Sequence, residues 1–403
     1  MASTEEVKEV DYSLSNPDTL TKYKEAAKIS EKVLKTVSEW IKEDAVLIDL
    51  CEKGDALLAD AVSKVFKGKK IAKGVGHPCT ISPSSYITPY TPLKSDLEEA
   101  KTTLKVGEVV KIQLGAQIDG FGTIVCDNVV VGGKVAGREA DLLLATHYAN
   151  ELLLRMMVPP GVVPAPEGAP AQKQFTQAKM NMLLEKVAKS YECNLVESTT
   201  TWLFERNEIE GKKKIILLPG DGVKGDGLPE VGEVWGVEMG LSLGSGKVKT
   251  LNNRTTLHRR TALTYGLKRP SSRATLSEIV KKFGTFPFSL RQLEDERAGK
   301  VGIVECVRGN VVRQYEVVAD KDGEPVSRLF TTVAITKNGL TRLAAPPAFD
   351  PEQYKSDKKI TDEEVLKILE QPLSKNADKT KKKKKKKTTA KKTTDAEESS
   401  DDE

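Results

Sequence analysis

Two nine-residue stretches with nearly the same pattern constrain the fold more than any other feature of the sequence. Residues 107–115 read GEVVKIQLG, and residues 232–240 read GEVWGVEMG. Each is a glycine-bounded run with alternating character and β-branched residues, which is typical of a strand. When the two runs are aligned, Gln113 falls on Glu238, and each run leads into a second glycine-rich stretch. The repeat predicts two related αβ halves whose equivalent strands meet at a shared central face.

Changes in composition divide the rest of the chain. Helical spacing of apolar residues predicts helices over 18–43, 54–67, 138–157 and 175–191. We expect Asp18 or Thr19 to cap the first helix, and an irregular loop over 73–93, which is rich in Gly, Pro and Ser. The predicted organisation is a flexible N-terminus (1–14), a first half (15–157), a proline-rich linker (158–174), a second half (175–370) that contains an insert (247–313), and a tail (371–403).

Positive charge is concentrated in the insert and the tail, although the net charge of the chain is only +5. The insert holds fifteen Lys and Arg residues against five acidic ones. Such clustering predicts binding to a polyanion, because each neutralised phosphate releases counterions. The plainer alternative, a solubilising or nuclear-import tail, stays open for the lysine run. The candidate nucleic-acid-binding residues are Lys247, Lys249, Arg254, Arg259, Arg260, Lys268, Arg269, Arg273, Lys281 and Lys282 in the insert, and Lys381, Lys382, Lys383, Lys384, Lys385, Lys386 and Lys387 in the tail.

The tail contains almost no apolar residue and cannot bury a core, so it is predicted to be disordered. It ends in DAEESSDDE, where Ser399 and Ser400 precede acidic residues and are candidate sites for an acid-directed kinase. Phosphorylation there would add negative charge close to the lysine run and weaken its binding to anions.

Several classes of protein are disfavoured by what the sequence lacks. It has no apolar run of about 18 residues, so no membrane-spanning helix is expected. Its five scattered cysteines form no CxxC pair, which favours reduced, buried thiols in an intracellular protein. The catalytic motifs HExxH and GxSxG, a P-loop, zinc-finger spacing and RRM aromatic motifs are also missing. Any recognition of nucleic acid would therefore depend on charge and shape.

Three blocks of sequence carry a resemblance to a known family: 266–306, 328–343 and 349–365. With these blocks, the chain resembles type 2 methionine aminopeptidases over roughly residues 15–390. It is more similar to their non-catalytic relatives, the proliferation-associated, ErbB-receptor-binding proteins, whose fungal members are called curved-DNA-binding proteins. The resemblance implies an α+β pita-bread (aminopeptidase/creatinase-like) fold with a basic helical insert.

In the resembled enzymes, two Asp, one His and two Glu hold two divalent metal ions. Carried over by alignment, their positions hold Gln113, Ile124, Trp202 (or Thr201 if the alignment slips by one), Glu238 and Thr331. A single carboxylate cannot offset the dehydration of two dications. We therefore expect no metal, no cofactor and no catalytic residue. Asp127 lies on the opposite strand face by parity, and Asp119 falls in an IDGFG turn, so neither is a substitute.

Two further site expectations follow from the same alignment. Glu238 is expected to be a buried carboxylate that accepts hydrogen bonds from Gln113 or from backbone amides. Tyr90 stands where the aminopeptidases have a substrate-contacting histidine, and that role is not assigned to His77, which comes earlier in the same loop.

The resemblance also implies partners. Its members are similar to factors that dock on the large ribosomal subunit, on rRNA and ribosomal proteins near the nascent-chain exit. We therefore expect an inactive aminopeptidase homologue, monomeric, with a role in ribosome assembly or translation control, present in nucleus, nucleolus and cytoplasm. A regulator that binds curved DNA is the first alternative, and an active metallo-aminopeptidase is the second.

Overall fold

The computed structural model describes residues 10–133, 135–163, 173–220 and 223–375. Its helices are α1 (Pro17–Glu39), α2 (Leu47–Ser63), α3 (Leu97–Ala100), α4 (Gly137–Met156), α5 (Gln177–Ser190), α6 (Pro270–Lys282), α7 (Glu296–Arg308) and α8 (Glu363–Leu369). Its strands are β1 (Lys73–Pro83), β2 (Val109–Ile118), β3 (Phe121–Val130), β4 (Asn194–Leu195), β5 (Thr200–Phe204), β6 (Lys214–Ile216), β7 (Val234–Ser242), β8 (Val248–Thr250), β9 (Leu257–Arg260), β10 (Phe288–Ser289), β11 (Val312–Gln314), β12 (Val318–Asp320), β13 (Val326–Thr336) and β14 (Gly339–Ala344).

The two repeated stretches form equivalent strands of one large antiparallel sheet. The order of strands is β1-β2-β3-β13-β7-β5-β6, with β14 also paired to β13 and β4 to β7. The repeats are β2 and β7, and they lie on either side of the seam between β3 and β13, where Phe330 pairs with Cys126. The prediction of two related halves that meet at a central face is confirmed.

One side of this sheet is covered by helices. From α1, Leu34 and Val37 pack in one core with Ile112 and Leu114 of β2. Leu152 of α4, the last helix of the first half, lies in a separate core with residues of β7 in the second half, such as Trp235 and Val237. Because successive strand residues point to opposite faces, the alternate residues of β2 and β7 point away from these helices. The functional site is built from those residues.

The turn between β2 and β3 is a two-residue hairpin, as the IDGFG sequence predicts. Asp119 and Gly120 both have positive φ, 56° and 81°, which is the geometry of a type I′ turn. The Asp119 carboxylate accepts hydrogen bonds from Lys22 of α1 at 2.7 Å and from Arg206, after β5, at 2.8 Å. Asp119 therefore ties both halves together at this end of the sheet.

The insert is a small layer with its own core rather than a purely helical element. Strands β10, β9 and β11 form a three-stranded sheet, and α6 and α7 pack together beside it. Apolar side chains such as Ile279, Phe288 and Ile303 fill the space between them. The predicted description of a helical insert is corrected in this respect, since β9 to β11 were not foreseen.

Some predicted boundaries are wrong. Asn16 caps α1 by accepting a hydrogen bond from the backbone N–H of Asp18, so neither Asp18 nor Thr19 is the cap. The second helix begins at Leu47, earlier than predicted. Half of the predicted loop 73–93 is the edge strand β1, whose pairing with β2 shifts register between His77 and Thr80. Pro78 lies at that irregularity, where an edge strand tolerates proline.

All five cysteines are buried and form no disulfide, as expected. None of the helices in the described ranges has the length and apolar character needed to cross a membrane. The lysine run Lys381–Lys387, Ser399 and Ser400, most of the proline-rich linker and residues 1–9 lie outside the described residues.

Candidate binding cleft

A cavity of about 480 Å³ opens on the face of the central sheet that points away from the helices. Of the five degenerate metal-ligand positions, Gln113, Ile124, Trp202 and Glu238 all line it. Strands β2, β3, β5 and β7 each contribute one of these side chains. Four positions that are far apart in sequence are thus brought together as the resemblance implies.

Thr331 is not part of this group, which corrects the alignment. On β13, Phe330 pairs with Glu238 in register and lines the cavity, whereas Thr331 pairs with Val237. Val237 belongs to the core under the helices, so Thr331 points to that side and is buried there. The position beside Glu238 is therefore occupied by a phenyl ring, which offers no metal ligand. Asp127 also lies outside this cavity and lines a separate one beside His147, in agreement with the parity argument.

Gln113 is hydrogen-bonded to His77 and not to Glu238, contrary to expectation. The two Nε2 atoms are 3.2 Å apart, and His77 Nδ1 lies 2.8 Å from the Pro78 carbonyl oxygen. Burial lowers the pKa of His77 to about 3, so its ring is neutral at physiological pH. Nδ1–H then donates to Pro78, Nε2 accepts from the Gln113 amide, and Gln113 Oε1 is left without a donor.

His77 thus has a place in the cleft that sequence reasoning assigned to Tyr90. The Tyr90 hydroxyl donates to Glu99 at 3.0 Å, and its neighbour Pro89 lines the cavity instead. The register irregularity around Pro78 turns His77 inward, and a Gly-His-Pro sequence on an edge strand was the available signal.

The nearest cation to Glu238 is Arg328 of β13, whose Nε lies 3.9 Å from Glu238 Oε1. Arg328 is nearly inaccessible, and its Nη1 donates to the carbonyl of Ile87. Burial raises the pKa of Glu238, and the charge of Arg328 opposes that rise. The backbone N–H of Glu238 donates to Thr201 Oγ1 at 3.2 Å. Arg328 is a cleft residue that the alignment did not single out.

The residues present do not fit the two-metal centre of the resembled enzymes. Divalent ions of that kind need several carboxylates and an imidazole on one site, and only Glu238 among the aligned positions supplies a carboxylate. The guanidinium of Arg328 already occupies the wall beside it and would repel a dication. Across the ranges that the structure describes, no group of three or more His, Cys, Asp or Glu side chains could hold a metal ion.

The wall of the cleft on the insert side is held by a network around Glu210. Arg313 and Tyr315 both bind its carboxylate, with the Tyr315 hydroxyl at 2.6 Å. Arg259 forms ion pairs with Glu208 and Glu210 and is buried. The prediction that Arg259 contacts nucleic acid is corrected, because its guanidinium is inside the protein and neutralised.

The other candidate cations of the insert differ in their exposure and in whether they form ion pairs. Arg254 is paired with Asp96 at 3.0 Å, and Lys282 with Glu278 at 2.7 Å. The Arg273 guanidinium donates to the carbonyls of Leu267 and Lys268. Arg260 is half-buried on β9. The exposed cations of the insert that form no ion pair within the described chain are Lys247, Lys249, Lys268, Arg269, Arg273, Lys281, Arg297 and Arg308.

Four of these cations lie with Tyr265 on one surface around α6. We call this the α6 basic surface, and it consists of Tyr265, Lys268, Arg269, Arg273 and Lys281. Tyr265, Arg273 and Lys281 line a single shallow groove, and Lys268 and Arg269 lead into the helix. Tyr265 is 51% exposed, and Leu263 next to it is 59% exposed. Sequence reasoning missed both apolar residues, although their position just before a run of cations was visible.

Comparison with known proteins shows the family to which the chain belongs. The model of metallopeptidase family M24 matches residues 21–203. The curved DNA-binding protein of Schizosaccharomyces pombe is 38% identical, with 92% of this chain and 95% of that protein covered. The chain belongs to the family of curved DNA-binding and ErbB-3-binding proteins. ERBB-3 BINDING PROTEIN 1 of Solanum tuberosum, another member of this family, is 34% identical over 85% of each chain.

Solved structures agree with the fold. A structure described as a thermophilic Arx1 is 62% identical and superposes with a TM-score of 0.87, covering 89% of this chain and 99% of that one. Methionine aminopeptidase of Thermotoga maritima superposes with a TM-score of 0.51 at 15% identity, over 82% of this chain and 98% of the enzyme. The pita-bread fold expected for the curved DNA-binding and ErbB-3-binding family is therefore confirmed. At this low identity, the likeness to the aminopeptidase shows the fold alone.

Proposed function

We propose that this chain is a non-catalytic member of family M24 that docks on the large ribosomal subunit near the nascent-chain exit. In this role it takes part in ribosome assembly or translation control. The observation that carries the docking proposal is the α6 basic surface. None of its exposed cations forms an ion pair with a described residue, although the backbone N–H groups of Lys268 and Arg269 donate to the Glu305 carboxylate. Arg273 and Lys281 line one groove with the exposed ring of Tyr265. Exposed cations that form no internal ion pair are the ones that can neutralise rRNA phosphates, and an exposed ring can stack on an unpaired base.

The docking proposal is tested by charge reversal on this surface. Replacing Lys268, Arg269 and Lys281 by glutamate removes exposed cations that hold no ion pair with a described residue. Circular dichroism checks that the variant folds, because the new carboxylates at 268 and 269 lie close to Glu305. We expect co-sedimentation with large subunits on a sucrose gradient to fall about tenfold or more at moderate salt. For the remaining binding, the slope of log K against log salt concentration should become shallower by about 0.9 for each phosphate that the variant no longer neutralises.

The matched control reverses Lys337, Lys355 and Lys359, which are exposed outside the insert and give the same change in net charge. This control should co-sediment almost as the wild type does. If both variants lose binding equally, only overall charge matters, and if neither does, the α6 basic surface is not the docking surface.

The absence of catalysis is proposed from the residues of the cleft. Gln113, Ile124, Trp202 and Phe330 stand around the one remaining carboxylate, with Arg328 beside it. Relatives in several yeasts carry the name probable metalloprotease, which favours the opposite interpretation. We expect purified protein dialysed against Co²⁺ or Mn²⁺ to retain fewer than two ions per chain by mass spectrometry of the metal. Two tightly held ions, with release of an N-terminal methionine from a test peptide, would contradict the proposal.

A nuclear DNA-binding role is the second candidate, favoured by the name of the relative from S. pombe. Curved duplexes are read through backbone charge and deformability, so the same cations would serve. Competition between a curved A-tract duplex, a straight duplex of equal length and an rRNA fragment distinguishes the two. If the curved duplex displaces the rRNA fragment and the straight duplex does not, the DNA role is favoured.

The tail and the localisation complete the proposal. The lysines 381–387 are proposed to add non-specific contacts to rRNA, and modification of Ser399 or Ser400 to weaken them. A chain with these functions is proposed to pass between nucleus, nucleolus and cytoplasm. Imaging of a fluorescently tagged full chain tests the localisation. Comparison of its rRNA binding with that of a chain that ends at residue 375 tests the contribution of the tail.

A further inference from the structure

Polar groups without partners converge in the wall of the cleft. Arg328 Nε and Nη2 make no hydrogen bond, and neither does Gln113 Oε1, although the two side chains are only 3% and 5% exposed. The carboxylate of Glu238 is 26% exposed, less buried than the sequence predicts, and its closest cation is Arg328 at 3.9 Å. It accepts no hydrogen bond from any described residue, so it faces the cavity as a free acceptor. Buried polar groups are normally paired, so the unpaired atoms of Arg328 and Gln113, beside the free carboxylate of Glu238 in one cavity, mark a place for a ligand.

The kinds of unpaired atom define what would satisfy them. Arg328 offers N–H donors, whereas Gln113 and Glu238 offer acceptor oxygens. A carboxamide carries an acceptor oxygen and an N–H donor on neighbouring atoms and has no charge. Its oxygen would accept from Arg328, while its N–H would donate to Glu238 or Gln113.

Charged ligand groups fit less well. A carboxylate would accept from Arg328 but would bring a second negative charge close to Glu238. An ammonium group would donate to Glu238 but would lie beside the buried guanidinium of Arg328. Like charges at such distances in a poorly solvated site repel strongly.

His77 fixes which atom of the Gln113 amide is available. Its Nδ1–H donates to the Pro78 carbonyl, so Nε2 is left to accept from Gln113 Nε2. The Gln113 amide is held with Oε1 as the unpaired atom. His77 is thus a positioning residue for Gln113.

The rest of the lining is mixed, with apolar side chains on one part of the wall and polar ones, including Glu197, Glu210 and Arg313, on the other, and the cavity is of suitable size. Cavities that bind small molecules usually measure about 300–1,000 Å³, and this one has about 480 Å³. The side chains that complete its wall include those of Ile87, Pro89, Ile124, Trp202, Phe204 and Phe330. An apolar substituent on the amide would therefore be buried when the polar groups are satisfied.

We propose that the cleft binds a carboxamide group that carries an apolar substituent, held by Arg328, Glu238 and Gln113 with no requirement for a free amino terminus. The amide of an extended peptide segment meets this description, and so does a small-molecule amide. The site is separate from the α6 basic surface, so it does not depend on ribosome docking.

Three probes that share the leucine side chain test the chemistry on the full chain. N-acetyl-leucinamide presents only amides, N-acetyl-leucine presents a carboxylate, and leucinamide presents an ammonium group. Binding is measured by calorimetry and by protein-observed NMR. We expect the neutral probe to bind about tenfold or more tightly than either charged probe, the size of one hydrogen bond to a charged group.

Variants link the binding to the named residues. Arg328→Met and, independently, Gln113→Met should each weaken binding of N-acetyl-leucinamide by about tenfold. Arg308→Met, which removes an exposed arginine outside the cavity, should leave it unchanged. Circular dichroism and thermal melting identify a variant that fails to fold, and Gln113→Met then serves in place of Arg328→Met.

The outcomes are distinguishable. Tighter binding of N-acetyl-leucine would overturn the proposal in favour of an oxyanion site, and tighter binding of leucinamide would overturn it in favour of a cation site. If no probe binds up to its solubility limit, Arg328 and Glu238 form a closed ion pair and the proposal fails. Comparison with an acetylated, amidated tripeptide separates the sources, since tighter binding of the tripeptide supports a peptide ligand and equal binding a small amide.

Discussion

Replacing Arg291 by methionine is expected to lower the free energy of unfolding by about 3–5 kcal/mol. Arg291 follows β10 in the insert, its side chain is 1% exposed, and it pairs with Asp55 of α2 at 2.7 Å. It also donates to the Cys79 carbonyl at 2.6 Å. Removing the guanidinium leaves Asp55 largely buried without its cation, and burial already raises the pKa of that carboxyl. Urea unfolding followed by circular dichroism measures the loss.

The double variant Asp55→Leu with Arg291→Met separates charge from packing. It removes both members of the pair and leaves no uncompensated charge, so it should recover most of the lost stability. If the double variant is as unstable as Arg291→Met alone, the loss comes from packing between the insert and α2. Limited proteolysis of the single variant should also cleave the insert sooner than the first half, because this pair joins the two.

Replacing Lys111 by methionine is expected to stabilise the protein at pH 7 by about 1–3 kcal/mol, the cost of burying a polar group that methionine does not carry. Lys111 is fully buried on β2, and its Nζ donates to the Ser84 carbonyl. Burial lowers the pKa of Lys111 well below its usual range, and the charge of Arg328 adds to this. The Ser84 carbonyl keeps a second partner, the backbone N–H of Val326 at 3.1 Å, so methionine leaves it paired.

The lowered pKa of Lys111 also predicts how stability changes with pH. Between the lowered pKa of the folded state and about 10.4, the unfolded chain binds a proton at Lys111 that the folded chain does not. The stability of the wild type should therefore rise with pH in this window, by up to about 1.4 kcal/mol per pH unit. Lys111→Met lacks this contribution, so its advantage should shrink from pH 7 towards pH 10. Urea unfolding of both proteins across that range checks it, and a constant difference between them would contradict the assignment.

The fold was accessible from sequence because its main signal is local and repeated. The stretches 107–115 and 232–240 carry strand periodicity and glycine boundaries, and those features do not depend on distant partners. The ligand positions were harder, because strand residues alternate between faces and a shift of one residue moves a side chain to the other side. For this reason the alignment puts Thr331 in the cleft, whereas the strand register puts Phe330 there.

Charge in the insert shows a different limit of sequence reasoning. Counting within 247–313 gives a strongly positive segment, but the carboxylates that neutralise part of it come from elsewhere in the chain. Asp55 pairs with Arg291, Asp96 with Arg254, and Glu208 with Arg259. Such pairs depend on tertiary contacts that no local window contains. The cations that remain exposed are therefore the ones that a binding argument can use.

Arg328 limits what a two-metal peptidase site on this scaffold would require. Installing aspartate, histidine and glutamate at the four altered positions would rebuild the ligand set, yet a fixed positive charge would still stand in the wall of the rebuilt cage. Its removal would in turn leave the Ile87 carbonyl without the donor that now holds it. A two-metal peptidase site on this chain would thus need several simultaneous substitutions.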